Sequence, residues 1–201
     1  WSGLLECAER DAIMLMWWNR KVPPRIVINE QSRSARLAER ARLLHNAGLE
    51  LYLFDISSDF NLPTVFCLLG GKRMPYWSAG ASCNEETIAH SMKSSEEHEI
   101  IREFSTEKYQ KRKIPSFETF DWIETLQDRS ELYLHWKNSP ALDFLVQSTN
   151  FISETEFLAK ERWQAPSNFE ELRTFAKLMD EHGLTALYCE TTADDVKELG
   201  C

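Results

Sequence analysis

Three short β-type runs stand close together: LELYLFDIS (49–57), PTVFCLLGG (63–71) and RMPYWSAGAS (73–82). Apolar and aromatic runs of this length, bounded by Gly, Pro, Asp and Ser, read as strands. Gly70 and Gly71 are expected in the turn between the second and third. On either side the period changes to that of helices, so the class expected is α+β. Residues 2–18 read as a helix, with Trp1, Leu4, Leu5, Ala8, Ala12 and Leu15 on one side. Pro23 and Pro24 end it, and RIVI (25–28) is a short strand. SRSARLAERARLLHNAG (32–48) is a second helix, capped by Ser32 or Ser34 and stopped at Gly48.

Further along, a polar helix is expected over 84–104, then a basic loop over 106–116 and an amphipathic helix over 117–136. ALDFLVQS (141–148) continues helical. SNFEELRTFAKLMDEHGL (167–184) is a helix closing at Gly183, followed by a strand TALYCE (185–190) and a short helix ADDVKEL (193–199). LLHNAGLELYLFDISSD and LMDEHGLTALYCETTAD echo each other, either as a duplication or because a helix-to-strand connection tends to take this form.

Charge and cysteines narrow the function classes. The formal charge of -9 disfavours generic nucleic-acid binding. Within it, 20–46 gather Arg20, Lys21, Arg25, Arg33, Arg36, Arg40 and Arg42, which form a solvated helix face or a surface for phosphate or peptide. Cys7, Cys67, Cys83, Cys189 and Cys201 contain no CxxC pair, which argues against a disulfide framework or structural zinc and favours a reducing compartment. No stretch approaches the ~18 consecutive apolar residues of a membrane span. Trp1 stands inside the expected helix with no Met before it, so the chain reads as an excerpt of a longer protein.

One constellation carries chemistry. Ser2, Glu6 and Glu9 share a narrow arc of the first helix, with Arg10 beside them. Carboxylates three residues apart repel unless a cation or donors lie between them, and magnesium takes such oxygen ligands against nucleotide phosphates. The alternative is a solvated helix face. Trp17 and Trp18 are core and rim or an aromatic platform. His45 and His182 precede helix-ending glycines and read as structural. His90, His98 and His135 show no metal spacing, and nothing marks Cys7 as a nucleophile.

SGLLECAERDAIMLMWWNR followed by PPRI resembles the YcaO family, within it the members that make thiazole and oxazole rings in ribosomal peptides. The likeness continues through GLELYLFDIS, PYWSAGAS, TLQDRSELYL, ALDFL and LTALYCETTADDVKELG, in the family's order. It implies a mixed sheet covered by helices. Residues 1–201 would be a fragment of that domain, lacking its N-terminal part and C-terminal Pro-rich tail. Ser2, Glu6 and Glu9 match the family's first nucleotide motif, S-x3-E-x2-E, with Arg10 following. The resemblance therefore implies that Glu6 and Glu9 hold magnesium against ATP while Ser2 lies close by. The family's second motif places a Glu and a Gln where this chain has Ser94 and Glu97, and Glu97 is the available substitute ligand.

The implied activity is ATP- and magnesium-dependent cyclodehydration of Cys, Ser or Thr to azolines in a precursor peptide, in the bacterial cytoplasm. A leader-peptide-binding partner protein is implied, and the sequence is compatible with a homo-oligomer. Two other readings stay open: a scaffold that binds a peptide or partner enzyme without turnover, which Ser94 favours, and thioamide formation within the same family.

Overall fold

The computed structural model describes residues 2–28, 35–58, 62–71, 74–83, 88, 121, 123–124, 140–159, 168–185 and 187. Helix α1 (Ser2–Trp18) leads into β1 (Arg25–Val27), α2 (Ala35–Asn46), β2 (Glu50–Asp55), β3 (Thr64–Gly71) and β4 (Met74–Cys83). Then follow α3 (Asp143–Val146), β5 (Phe151–Ser153), α4 (Glu154–Ala159) and α5 (Asn168–Glu181). Residues 2–162 form one compact unit, and 163–201 belong with Trp1 in another, to which α5 is assigned.

The sheet has the order β4-β3-β2-β1-β5, antiparallel throughout except for the parallel pair β1 and β5. It is the expected mixed sheet of an α+β fold, and both of its faces are buried. Tyr52, Phe54, Phe66 and Leu68 cluster with Ala12 and Met16 of α1 and with Leu142 and Leu145. Leu53, Val65 and Cys67 point the other way, into a cluster with Ile26, Leu37, Ile88 and Phe157. Two-sided burial explains why β2 and β3 read as near-continuous apolar runs rather than alternating ones.

Helix α1 ends where the sequence placed its end. Asn19 Nδ2 donates to the Leu15 carbonyl at 2.9 Å, and the Lys21 N–H reaches back to Met16 at 3.0 Å. Between them Arg20 turns the chain with a left-handed φ of 49°, and its guanidinium then sits 5.4 Å from the Phe144 ring centroid. Helices α2 and α5 close alike on Gly48 (φ 79°) and Gly183 (φ 71°). In both, the next residue's N–H bonds five residues back, Leu49 to Leu44 and Leu184 to Met179.

Several expectations are corrected. Gly70 and Gly71 lie inside β3, where Gly70 pairs with Glu50, rather than in the turn. The reason is a close approach: a Cβ on Gly70 would stand 2.4 Å from Cε3 of Trp77. Leu15 is exposed, so the inner stripe of α1 runs through Ala12 and Met16 instead. Asp121 lies in a turn and Ile123 and Glu124 are irregular, so no helix runs unbroken through 117–136. Thr185 and Leu187 lie in no strand; the other residues of the strand expected over 185–190, and the helix over 193–199, lie outside the described residues. Of the helix over 84–104 only Ile88 is described, and it is helical. No helix among the described residues is long and apolar enough to cross a membrane.

Strand β5 and helix α4 were not anticipated. They are joined by a capping box, in which Glu156 Oε2 accepts from the Ser153 N–H at 2.6 Å while Ser153 Oγ accepts from the Glu156 N–H at 3.1 Å. The Ser153 N–H, together with the Ser153 hydroxyl that donates to the same oxygen at 2.8 Å, holds the Glu156 carboxyl below its ordinary pKa.

Candidate functional site

Helix α1 packs against β4. Glu9 falls three residues before Ala12 and seven before Met16, the two residues that α1 buries in the sheet. Its carboxylate is therefore carried to the seam between helix and sheet, where it is half-buried. There it accepts a hydrogen bond from the backbone N–H of Cys83, the last residue of β4. Glu6, one turn earlier, is exposed and pairs with Arg10 at 3.0 Å. An exposed i,i+4 pair of this kind stabilises by only about 0.3–0.5 kcal/mol, so a cation can displace it at little cost. Ser2 has helical backbone at the start of the same stripe.

The two carboxylates have different electrostatic surroundings. Burial pushes the Glu9 carboxyl above its usual value; Arg10 pulls it back, Glu6 raises it further, and the Cys83 N–H lowers it. A site that raises an acid by burial and by a neighbouring carboxylate is one where added positive charge is stabilising. Oxygen donors alone, one turn apart, fit a hard cation that fills its remaining positions with water and phosphate oxygens. Among the described residues no group of three or more His, Cys, Asp or Glu could hold a metal ion, and Glu6 and Glu9 by themselves offer two carboxylates.

The raised Glu9 pKa has a consequence for stability. Protonated Glu9 favours the fold; that contribution is complete below the usual 4.5 and is lost as the pH rises through the folded-state value. Without metal, Glu9→Gln should melt at a higher temperature than the parent at pH 7 and at the same temperature at pH 4. A lower melting temperature for the variant at pH 7 would contradict this assignment.

The Cys83 thiol is buried and bonded to the Thr64 hydroxyl, and burial, with the Glu9 charge adding to it, raises its pKa. It stays a thiol at neutral pH, which suits a structural role. Cys7 is exposed. Trp17 packs edge-on against Phe144, with centroids 5.8 Å apart, whereas Trp18 is 78% exposed, so the pair divides between core and surface. Of the basic run, Arg42 is held by Glu39 at 2.6 Å and Arg25 lies 4.1 Å over the Tyr52 ring. The Tyr52 hydroxyl in turn donates to Glu50, and burial is the first cause that pushes its pKa up to about 12. His182 Nδ1 contacts the Leu178 carbonyl at 2.9 Å, the structural place expected for it. Ser94, Glu97, His90, His98 and His135 lie outside the described residues.

The geometry brings Glu6, Glu9 and Arg10 together and adds Cys83 and Thr64, which sequence reasoning did not name. Cys83 contributes a main-chain N–H, for which no side-chain pattern exists.

A family profile described as YcaO cyclodehydratase, ATP- and Mg2+-binding, matches residues 1–201. No curated protein matches the chain. Similar solved structures include a heterocyclase in complex with substrate and cofactor (TM-score 0.65, 13% identity), with 90% of this chain and 22% of that one covered. The heterocyclase TruD matches with TM-score 0.59 and 13% identity, over 90% and 23% of the two chains. YcaO from Methanopyrus kandleri bound with AMPPCP and Mg2+ matches with TM-score 0.51 and 16% identity, over 90% and 44%. The chain thus spans less than half the length of each of these structures, and at such identities the likeness is one of fold.

Proposed function

The chain belongs to the YcaO family, and from that membership we propose that it is part of an ATP- and magnesium-dependent peptide cyclodehydratase. In this reading residues 1–201 are a portion of a YcaO domain. The observation that carries it is the seating of Glu9: a half-buried carboxylate, one helical turn from Glu6, anchored to β4 inside a motif that matches S-x3-E-x2-E.

The substrate class is a ribosomal precursor peptide. A Cys, Ser or Thr side chain adds to the preceding backbone carbonyl, and loss of the carbonyl oxygen leaves an azoline ring. When bound, magnesium and ATP supply charge neutralisation and the phosphoryl group that makes that oxygen a leaving group. Glu6 and Glu9 hold the cation. Glu9 is the fixed ligand, its position set by Cys83. Glu6 is the mobile one, held by Arg10 until a cation takes its place. Arg10, then released, is available to nucleotide phosphate, and Ser2 lies one turn before Glu6 on the same stripe. Glu97 is the further candidate ligand.

Mass spectrometry of a Cys-containing precursor peptide incubated with the full-length protein, its partner protein, magnesium and ATP tests the proposal. The expected result is the loss of one water per ring, with ATP consumed in step. ATP binding without any change in peptide mass would favour a scaffold, and exchange of oxygen for sulfur when sulfide is added to the mixture would favour thioamide formation.

A further inference from the structure

Asp55, at the end of β2, is buried (5% exposed) and has no part in the chemistry above. Its Oδ1 accepts twice from Ser57, from the backbone N–H at 3.0 Å and from the hydroxyl at 2.6 Å. While its hydroxyl donates to Asp55, the Ser57 Oγ accepts from the Thr64 N–H at 3.2 Å, across the β2–β3 connection. Thr64 is the first residue of β3, stands opposite Cys83 in the β3–β4 register, and bonds to the Cys83 thiol through its hydroxyl. That hydroxyl lies 3.1 Å from the Leu62 carbonyl, and the Thr64 carbonyl accepts from the Ile56 N–H at 3.0 Å. Cys83 then presents its N–H to Glu9.

We propose that Asp55 and Ser57 are positioning residues for Glu9, acting through Thr64 and the Cys83 peptide to hold the carboxylate where a divalent cation needs it. The physical case rests on three features. A strand end is where a sheet frays, because its last residues have ladder bonds on one side only. Cys83 is the last residue of β4 and Thr64 the first of β3, so without further support the N–H under Glu9 would sit on a loose corner. Asp55, which accepts both the N–H and the hydroxyl of Ser57, leaves the Ser57 oxygen oriented toward Thr64 and removes that looseness from the opposite side. Outer partners of metal-ligating carboxylates do this work in general: they fix orientation without touching the metal.

The inference rests on the reading of Glu9 as a cation ligand, and the test separates the two. The probe is Mn2+, which takes the same oxygen donors as magnesium, with its binding to the full-length protein followed by electron paramagnetic resonance. Ser57→Ala is expected to weaken Mn2+ binding about tenfold. Ser57→Thr, which keeps the hydroxyl, should restore it. The loss should persist in a Glu6→Gln background and vanish in a Glu9→Gln background, because it is transmitted through Glu9. Thermal melts of Ser57→Ala and Ser57→Thr check that both are folded. Equal Mn2+ affinity in Ser57→Ala and the parent, with Glu9→Gln impaired, overturns the positioning role and leaves the ligand role standing. A loss that persists in Glu9→Gln overturns it as well, since the effect would then be general to the fold. If Glu9→Gln binds Mn2+ like the parent, the ligand role falls and the positioning role with it.

Discussion

Glu6→Gln and Glu9→Gln should each lower magnesium-dependent ATP consumption of the full-length protein by about a hundred- to a thousandfold, the loss typical of removing one preorganised charge-stabilising group. Glutamine keeps the shape and one oxygen but removes the negative charge that balances the cation. The two variants should differ in how they fail. Glu6 is exposed and on a helix surface, so raising magnesium should recover part of the Glu6→Gln activity. Glu9 is half-buried and fixed by the Cys83 N–H, a place that exposed Glu6 does not share. Its variant should therefore stay inactive at any magnesium concentration. Metal-free Glu9→Gln is also expected to be the more heat-stable protein at pH 7, so lost activity in it is not lost folding. Unchanged turnover in both variants, measured by phosphate release across a magnesium titration, would remove the ligand assignment.

Phe157→Ala should cost about 3–5 kcal/mol of folding stability, the range for emptying a buried aromatic site. Phe157 is 1% exposed and sits on the face of the sheet opposite α1, with Ile26, Leu37, Leu53, Val65, Cys67 and Ile88. All of those neighbours but Ile88 come from β1, α2, β2 and β3, elements braced by their own hydrogen bonds, so they cannot all move inward to fill the hole. A domain is typically stable by only ~5–15 kcal/mol, which makes this loss severe. Urea unfolding should show a lower midpoint with little change in slope. Phe157→Leu, which keeps most of the volume, should cost less than about 1.5 kcal/mol. A Phe157→Ala loss below about 1 kcal/mol would mean that α4 is not seated as described.

Local order was legible where the pattern is local. The bounds of α1 follow from helix formers running unbroken from Ser2 and from Asn19 and the two prolines behind it. Strands β2 and β3 were visible because a sheet buried on both faces writes long apolar runs into the sequence. Strand β5 was not. Three residues hold no period, and Phe151–Ser153 is a strand only because β1, far away in sequence, accepts it. The capping box of Ser153 and Glu156 is the one local signal there, a Ser followed three residues on by a Glu.

Gly70 shows a different limit. Glycine marks turns and close approaches alike, and only the position of Trp77 decides between them. In the site, the spacing of Glu6 and Glu9 was readable, but which of them faces the sheet was not. The expected stripe included Ala12, which is buried, but also Leu15, which is exposed, while Met16 takes the inner place. Ala12 and Met16 fix the true rotation, and with it the burial of Glu9.

The parallel pair at the sheet's edge also sets a schedule for synthesis. Arg25 lies opposite Phe151, 126 residues later in the chain. Ribosomes add residues at ~5–20 per second, so the outer edge of β1 waits on the order of ten seconds for its partner. Strands β2, β3 and β4 pair with near neighbours and close early, carrying the Cys83 end against α1. The proposed cation site thus belongs to the first part of the sheet to be made, while β1 leaves the ribosome with an unpaired edge that a chaperone, or a neighbouring nascent chain, meets before β5 does.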